Sequence, residues 1–393
     1  MAPDELHALA VLVLAGGAVA PRRSLLDRFG GPAAARGAGP AAWREAGLDD
    51  AQTAALRSPE PDRLRRTLDW LAGGPRRQLI GWHDPDYPAL LRRITSPPLA
   101  LFVEGDATLL WRPAVAVVGS RSPTGGGRDN ARAFARALAA AGITVASGMA
   151  AGIDAAAHEA ALSLSTGGGS FAVVGAGPDV AYPPQNAGLR DRLAVQGAVV
   201  SEHAPGTPAV RSHFPSRNRL LAGLSLGTLV VEAAERSGAR ITARQAGEAG
   251  REVFAVPGSI HNPMARGCHR LIREGAALVE SAAEVIAAIA PLAAGLAVAL
   301  RQRLDEAEPG AVPAPPGTPA GLAPDYQTLW EALDHDPTGM DKLVSRTGLT
   351  AAELSSMLLV MELDGLVTAE HGRYQRKTGF FTSTASTTQA EGQ

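Results

Sequence analysis

The stretch VAVVGSRSPTGGG, residues 115–127, carries the first residues able to do chemistry. An apolar run ends in Gly119, Ser120 and Arg121, and a turn of small residues follows. Backbone N–H groups and the Ser120 hydroxyl can hydrogen-bond phosphate oxygens, and the Arg121 guanidinium can grip one with a two-pronged fork. A dinucleotide-binding turn excludes such a bulky side chain so that pyrophosphate rests on bare backbone. An arginine at this point suits a phosphodiester that runs past the loop. The competing use of Arg121 is a surface ion pair with a neighbouring loop. A second cluster is HFPSRNRLLAGLS, 213–225. Pro215 and Ser216 read as a helix entrance, with Arg217, Asn218 and Arg219 in the first turn. Cations there oppose the helix dipole and require an anion or an acid between them. Glu202 and Glu232, expected at strand ends, are placed either to hold these arginines or to act as a carboxylate pair in acid–base chemistry.

Other candidate groups read as structural. His158 falls inside a helix with no second histidine at metal-ligand spacing, so it is expected near the cleft, hydrogen-bonded to backbone. The segment VVGAGPDV has Gly175 and Gly177, but Val180 stands where a dinucleotide fingerprint needs its third glycine. Cys268 and His269 are adjacent on a helical segment, so they point apart and make no nucleophile–base pair. A single cysteine excludes an intramolecular disulfide framework and any multi-cysteine zinc site, as expected of a cytoplasmic protein. No catalytic residue, metal or cofactor is assigned.

The elements that must position these residues alternate. Strand-like runs lie at 99–103, 114–119, 143–148, 171–177, 198–202, 227–233 and 252–258, with amphipathic helical segments between most of them. Apolar strands bounded by glycine and separated by helices indicate a doubly wound, parallel α/β sheet covered on both faces, from about 107 to 292. Its ligand is expected beyond the carboxyl ends of the strands, where small-residue loops gather. Residues 1 to about 60 read as short helices broken by Gly and Pro. Residues 305–324 are a Pro/Gly/Ala linker, and 379–393 a disordered tail. Between them, three helices near 326–335, 340–347 and 350–364, then two short strands, suggest a winged helix.

The chain has 393 residues and a net charge of −2, which argues against a generally cationic nucleic-acid binder. The distribution decides more. Residues 107–250 hold thirteen Arg against nine acids, whereas 323–378 hold five cations against nine acids. A polyanion is therefore expected to meet the middle of the chain. The apolar segments at 6–20 and 285–300 have the wrong charge order for a secretory signal and too little length for a span, so no membrane association is expected.

The ordered set VAVVGSR, SGMAAGIDAAAH, VVGAGPDVAYPPQN, VVSEH, FPSRNRLLAGLS, VVEAAERSGARITA and FAVPG resembles the DNA-processing protein A family, also called DprA or Smf. The likeness covers about 80–275. It implies a sterile-alpha-motif-like module (1–75), an extended Rossmann-like domain (76–295) with a mostly parallel sheet, and a winged-helix module (325–378). It also implies a non-enzymatic protein that binds single-stranded DNA, loads the RecA recombinase onto it while displacing single-strand-binding protein, acts in natural transformation and recombination, and forms a homodimer. Carried onto this chain, the DNA site is Ser120, Arg121, Ser147, Gly148, Arg217, Asn218 and Arg219, lined or supported by Asn186, Ser237, Gly238 and Thr242. Gln185 stands where the family often has lysine, a loss Arg190 or Arg192 is placed to offset. Three phosphate contacts give an expected salt slope of roughly −2 for single strands, and sparse aromatics limit base stacking to one or two residues. Two alternatives stand beside this reading: a nucleotide-binding or nucleoside-monophosphate-hydrolysing enzyme, and a transcription regulator acting through the winged helix.

Overall fold

The computed structural model describes residues 2–307, 324–333, 338–363, 366–370 and 373–376. The expected linker at 305–324 and tail at 379–393 lie almost wholly outside the described residues. The chain divides into two compact units, Met1–Gln302 and Arg303–Gln393.

The first unit opens with six helices: α1 (Pro3–Leu14), α2 (Val19–Phe29), α3 (Pro32–Gly37), α4 (Gly39–Glu45), α5 (Asp50–Arg57) and α6 (Pro61–Ala72). Proline opens four of them at the first or second position, where its missing N–H costs nothing. A reciprocal capping box between Asp49 and Gln52 starts α5. Their core of Leu9, Val11, Leu12, Leu25, Leu26, Trp43 and Leu56 is closed to solvent.

The nine strands of the main sheet are β1 (Arg77–Gly81), β2 (Ala100–Gly105), β3 (Ala114–Val118), β4 (Thr144–Ser147), β5 (Ser170–Val173), β6 (Ala198–Ser201), β7 (Gly227–Val230), β8 (Glu252–Ala255) and β9 (Ala277–Leu278). They lie in the order β1-β2-β6-β5-β4-β3-β7-β8-β9. From β6 to β9 every pairing is parallel; β2 joins β6, and β1 joins β2, antiparallel. A short helix, α7 (Ala89–Arg92), precedes β2. The helices that follow are α8 (Gly125–Ala140), α9 (Ile153–Leu162), α10 (Ala187–Gln196), α11 (His213–Leu224), α12 (Ala239–Glu248), α13 (Arg266–Arg273) and α14 (Ala282–Ala307), the last running across the boundary at Gln302. Period-two alternation divides the strands between two cores. Ala114, Ala116 and Val118 pack toward α11, α12 and α13, while Val115 and Val117 pack toward α8, α9 and α14. The sheet is thus covered on both faces, as its continuous apolar strands require.

The helical module is tied to the sheet edge. Trp82 is flanked by the guanidinium groups of Arg23 from α2, at 5.0 Å, and Arg92, at 4.7 Å. Glu104 on β2 takes Arg77 and Arg190 together. Arg190 is therefore occupied, and does not stand free beside Gln185; Arg192 is exposed.

The second unit contains α15 (Pro324–Ala332), β10 (Thr338–Gly339), α16 (Met340–Thr347), α17 (Ala351–Leu363), β11 (Val367–Glu370) and β12 (Arg373–Arg376), with its sheet ordered β10-β12-β11. Helix, strand, two helices and a hairpin make a winged helix around Leu329, Trp330, Leu343, Leu354 and Met361. Among the described residues no helix is long and apolar enough to cross a membrane.

Candidate nucleic-acid interface

The chain order reverses beside β3: successive strands build outward to β6, then β7 returns to the other side of β3. Ligands of open α/β sheets sit at such a switch point, beyond the strand ends. The loop after β3 stands there, and it is pinned along its length. Ser120 N–H donates to the Glu232 carbonyl at 2.7 Å, and Ile153 N–H donates to the Ser120 carbonyl at 3.1 Å. The Glu232 carboxylate accepts from Thr124 N–H (2.9 Å), Thr124 Oγ1 (2.7 Å) and Asn262 Nδ2 (3.2 Å). Thr124 also caps α8 through Gly127 N–H at 3.0 Å. Glu232 therefore orders the loop at a helix N-terminus and holds no arginine, which corrects one of the two roles expected of it.

Arg121 projects from this loop. Its side chain is exposed, and its guanidinium lies 5.6 Å from the Phe214 ring centre. Phe214 in turn meets Tyr182 at 5.3 Å between centres, with planes tilted by 41°. Tyr182 is 43% exposed, so a planar apolar surface opens beside a free cation. Arg211, also exposed, precedes α11, and Asn218 is half-buried on it. Phe214, Tyr182 and Arg211 were not singled out from sequence. The available signal was an aromatic pair in two basic or Pro-rich motifs of a chain with few aromatics.

The helix bearing Arg217 begins at His213, two residues before the expected entrance at Pro215. Arg217 thus lies beyond the first turn. It is 5% exposed and donates from Nη1 to the Val173 carbonyl at 2.7 Å, while its Nε–H is buried without a partner. Burial lowers its pKa to about 10, offset in part by nearby Asp154, so it stays charged at neutral pH. A Cβ at Gly148 would overlap the Arg217 guanidinium, which would have to shift from its place. Arg219 is tied to Glu202 and donates to the Ser96 carbonyl at 2.6 Å. Arg217 is therefore a buried charge under the crevice, Arg219 is engaged internally, and Arg121 is open to solvent.

The loop after β4 holds an anion, but its own. Gly148 and Ala150 N–H groups donate to Asp154 Oδ2 at 3.1 and 3.3 Å. Met149 between them has φ +58°, a left-handed conformation that costs a side-chain-bearing residue about 1 kcal/mol or more. Asn186 holds it by donating from Nδ2 to the Met149 carbonyl at 2.9 Å. Burial raises the Asp154 pKa, while Arg217 and the two N–H groups oppose that rise.

The other expected residues divide. Ser147 donates to the Val117 carbonyl at 2.6 Å and is fully buried; the Ser120 hydroxyl accepts from Ser122 N–H at 3.1 Å. Thr242 is buried in α12. Ser237 and Gly238 border a groove of about 850 Å³ at the β8–β9 edge, whose lining includes neither Arg121 nor Phe214. His158 bonds to the Ser170 hydroxyl at 2.7 Å, not to backbone as expected. Ser170 donates to the Val145 carbonyl, so His158 Nδ1 carries the proton toward Ser170. Burial lowers the His158 pKa to about 3 and raises the Cys268 thiol to about 11, which leaves both uncharged at neutral pH. Among the described residues no group of three His, Cys, Asp or Glu side chains could hold a metal ion.

A Rossmann-like binding domain joined to a winged helix, with a cation and an aromatic pair at the switch point of its sheet, defines the class. The family model for DNA recombination-mediator protein A matches residues 78–290, and that for the DprA winged helix domain matches 313–373. The chain belongs to the DNA-processing protein A (DprA/Smf) family. It is 38% identical to Protein Smf of Synechocystis over 76% of this chain and 80% of that one. It is 40% identical to Protein Smf of Escherichia coli over 80% of each. The solved DNA processing protein A of Streptococcus pneumoniae superposes with a TM-score of 0.62 at 34% identity, covering 70% of this chain and 95% of that one.

Proposed function

We propose that this protein binds single-stranded DNA in the crevice beside Arg121 and loads the RecA recombinase onto it as single-strand-binding protein is displaced, during natural transformation and recombination. The observation that carries the reading is the exposed Arg121 guanidinium set against Phe214 and Tyr182. Phosphate meets the cation, and a splayed base stacks on a ring, a combination every base can use. Arg217 below adds a fixed positive field without a direct contact. Membership in a recombination-mediator family supports the same reading. Glu202 and Glu232 are both engaged in holding structure, which favours a binding protein over a catalyst. We place the protein in the cytoplasm as a homodimer that extends its reach along the strand.

The test is recombinase nucleation on labelled single strands precoated with single-strand-binding protein. The protein is expected to shorten the lag before filament growth. An unchanged lag over a full titration contradicts the loading step.

A further inference from the structure

We propose that the path of single-stranded DNA continues out of the crevice along an arginine ridge on α8, where Arg128, Arg132 and Arg136 contact successive phosphates. The proposal rests on the single-strand reading above and extends it.

The three arginines recur every fourth residue and all are exposed. Four residues of helix advance ~6 Å, so the guanidinium groups form a line and not a cluster. The buried side of α8 is Ala131, Phe134, Ala135, Leu138 and Ala139, which fixes the arginines outside the core. The ridge is continuous with the crevice: Arg128 Nη2 donates to the Pro123 carbonyl at 3.2 Å, inside the loop that carries Arg121. Beside it runs a groove of about 440 Å³ between α8 and α9, lined by Arg132, Ala133, Arg136, Glu159, Ala160 and Ser163. Arg136 is steadied by Ser163 Oγ at 3.1 Å, a neutral partner that leaves its charge available. Arg132 is paired with Asp129 at 3.2 Å, and both are at least half exposed, so a phosphate can compete for it at small cost. Arg128 and Arg136 make no ion pair with a carboxylate among the described residues. A charged, solvated polymer fits this surface because the Arg132 and Arg136 guanidinium groups outnumber Glu159, the one carboxylate that lines the groove.

The test compares two lengths of fluorescein-labelled oligo-dT by anisotropy, one of about 6 nucleotides that fills only the crevice and one of about 25 that overruns it. The variant R132Q/R136Q is expected to bind the long oligomer about tenfold more weakly, with a salt slope smaller by roughly 1.4, and the short one as wild type does. Asp129→Asn, which frees Arg132, is expected to tighten the long oligomer about threefold by the same logic of an unscreened cation. Wild-type affinity of R132Q/R136Q for both lengths overturns the ridge, and so does an equal loss at both lengths. Arg121→Ala is read in parallel. If it binds both lengths like wild type, the crevice reading fails, whatever the ridge variants do.

Discussion

Among the crevice residues, accessibility separates three arginines that sequence alone treats alike. Arg121 is exposed with no ion pair among the described residues, Arg217 is buried under the site, and Arg219 is held by Glu202. The roughly −2 salt slope expected from three phosphate contacts therefore falls, with about −0.7 contributed by Arg121 in the crevice. The spacing of arginines was legible, but their burial was not, because it depends on which strand-end carbonyl and which carboxylate lie across the helix. Phe214 was missed for a similar reason: its ring matters only because folding brings Arg121 and Tyr182 beside it. Phe214→Ala is expected to weaken oligo-dT binding by about 1–3 kcal/mol while leaving the salt slope unchanged, since stacking releases no counterions. Calorimetric or anisotropy titrations at several salt concentrations check this. A changed slope with unchanged affinity at low salt would contradict it.

At the scale of elements, the parallel strands β3 to β8 were legible to within a few residues because each is an apolar run closed by glycine or a small residue, whereas the two-residue parallel strand β9 was too short to read. The β1 strand was not, since RQLIG is short and begins with a charge paired to Glu104. Helix α11 starts earlier than Pro215 implied because proline is tolerated anywhere in the first turn. The loop carrying Arg121 depends on the junction of β7 with α8. Glu232→Gln keeps the shape but removes the charge at the α8 N-terminus and one acceptor for Thr124. We expect a stability loss of about 1 kcal/mol and weaker DNA binding, because the loop is no longer fixed. Chemical denaturation alongside binding measures both. Full affinity at reduced stability would separate the cap from the site.

The whole molecule couples its stability to two histidines, His158 buried and His203 half-buried. Burial lowers His158 to about 3, and lowers His203 to about 4 with help from stacked His213 and nearby arginines. In the unfolded chain both titrate near 6.5, so between these limits the unfolded state binds more protons. Their contribution is complete above about pH 6.5 and is lost as pH falls toward 4 and then 3. For His158 the loss is on the order of 1 kcal/mol per pH unit in that window. Urea midpoints between neutral pH and pH about 5 are expected to fall, and His158→Gln to flatten the decline. A midpoint independent of pH in the wild type contradicts this origin. The charge asymmetry along the chain was legible from composition, and the winged helix from its order of elements. Which residues beyond the strand ends reach solvent was not, because that is set by packing.

The most direct measurement is the salt dependence of oligo-dT affinity for wild type and Arg121→Ala. The expected result is a loss of at least about tenfold near physiological salt, with the log–log slope reduced by roughly 0.7. Equal affinity and equal slope in the two proteins would show that the strand is held elsewhere.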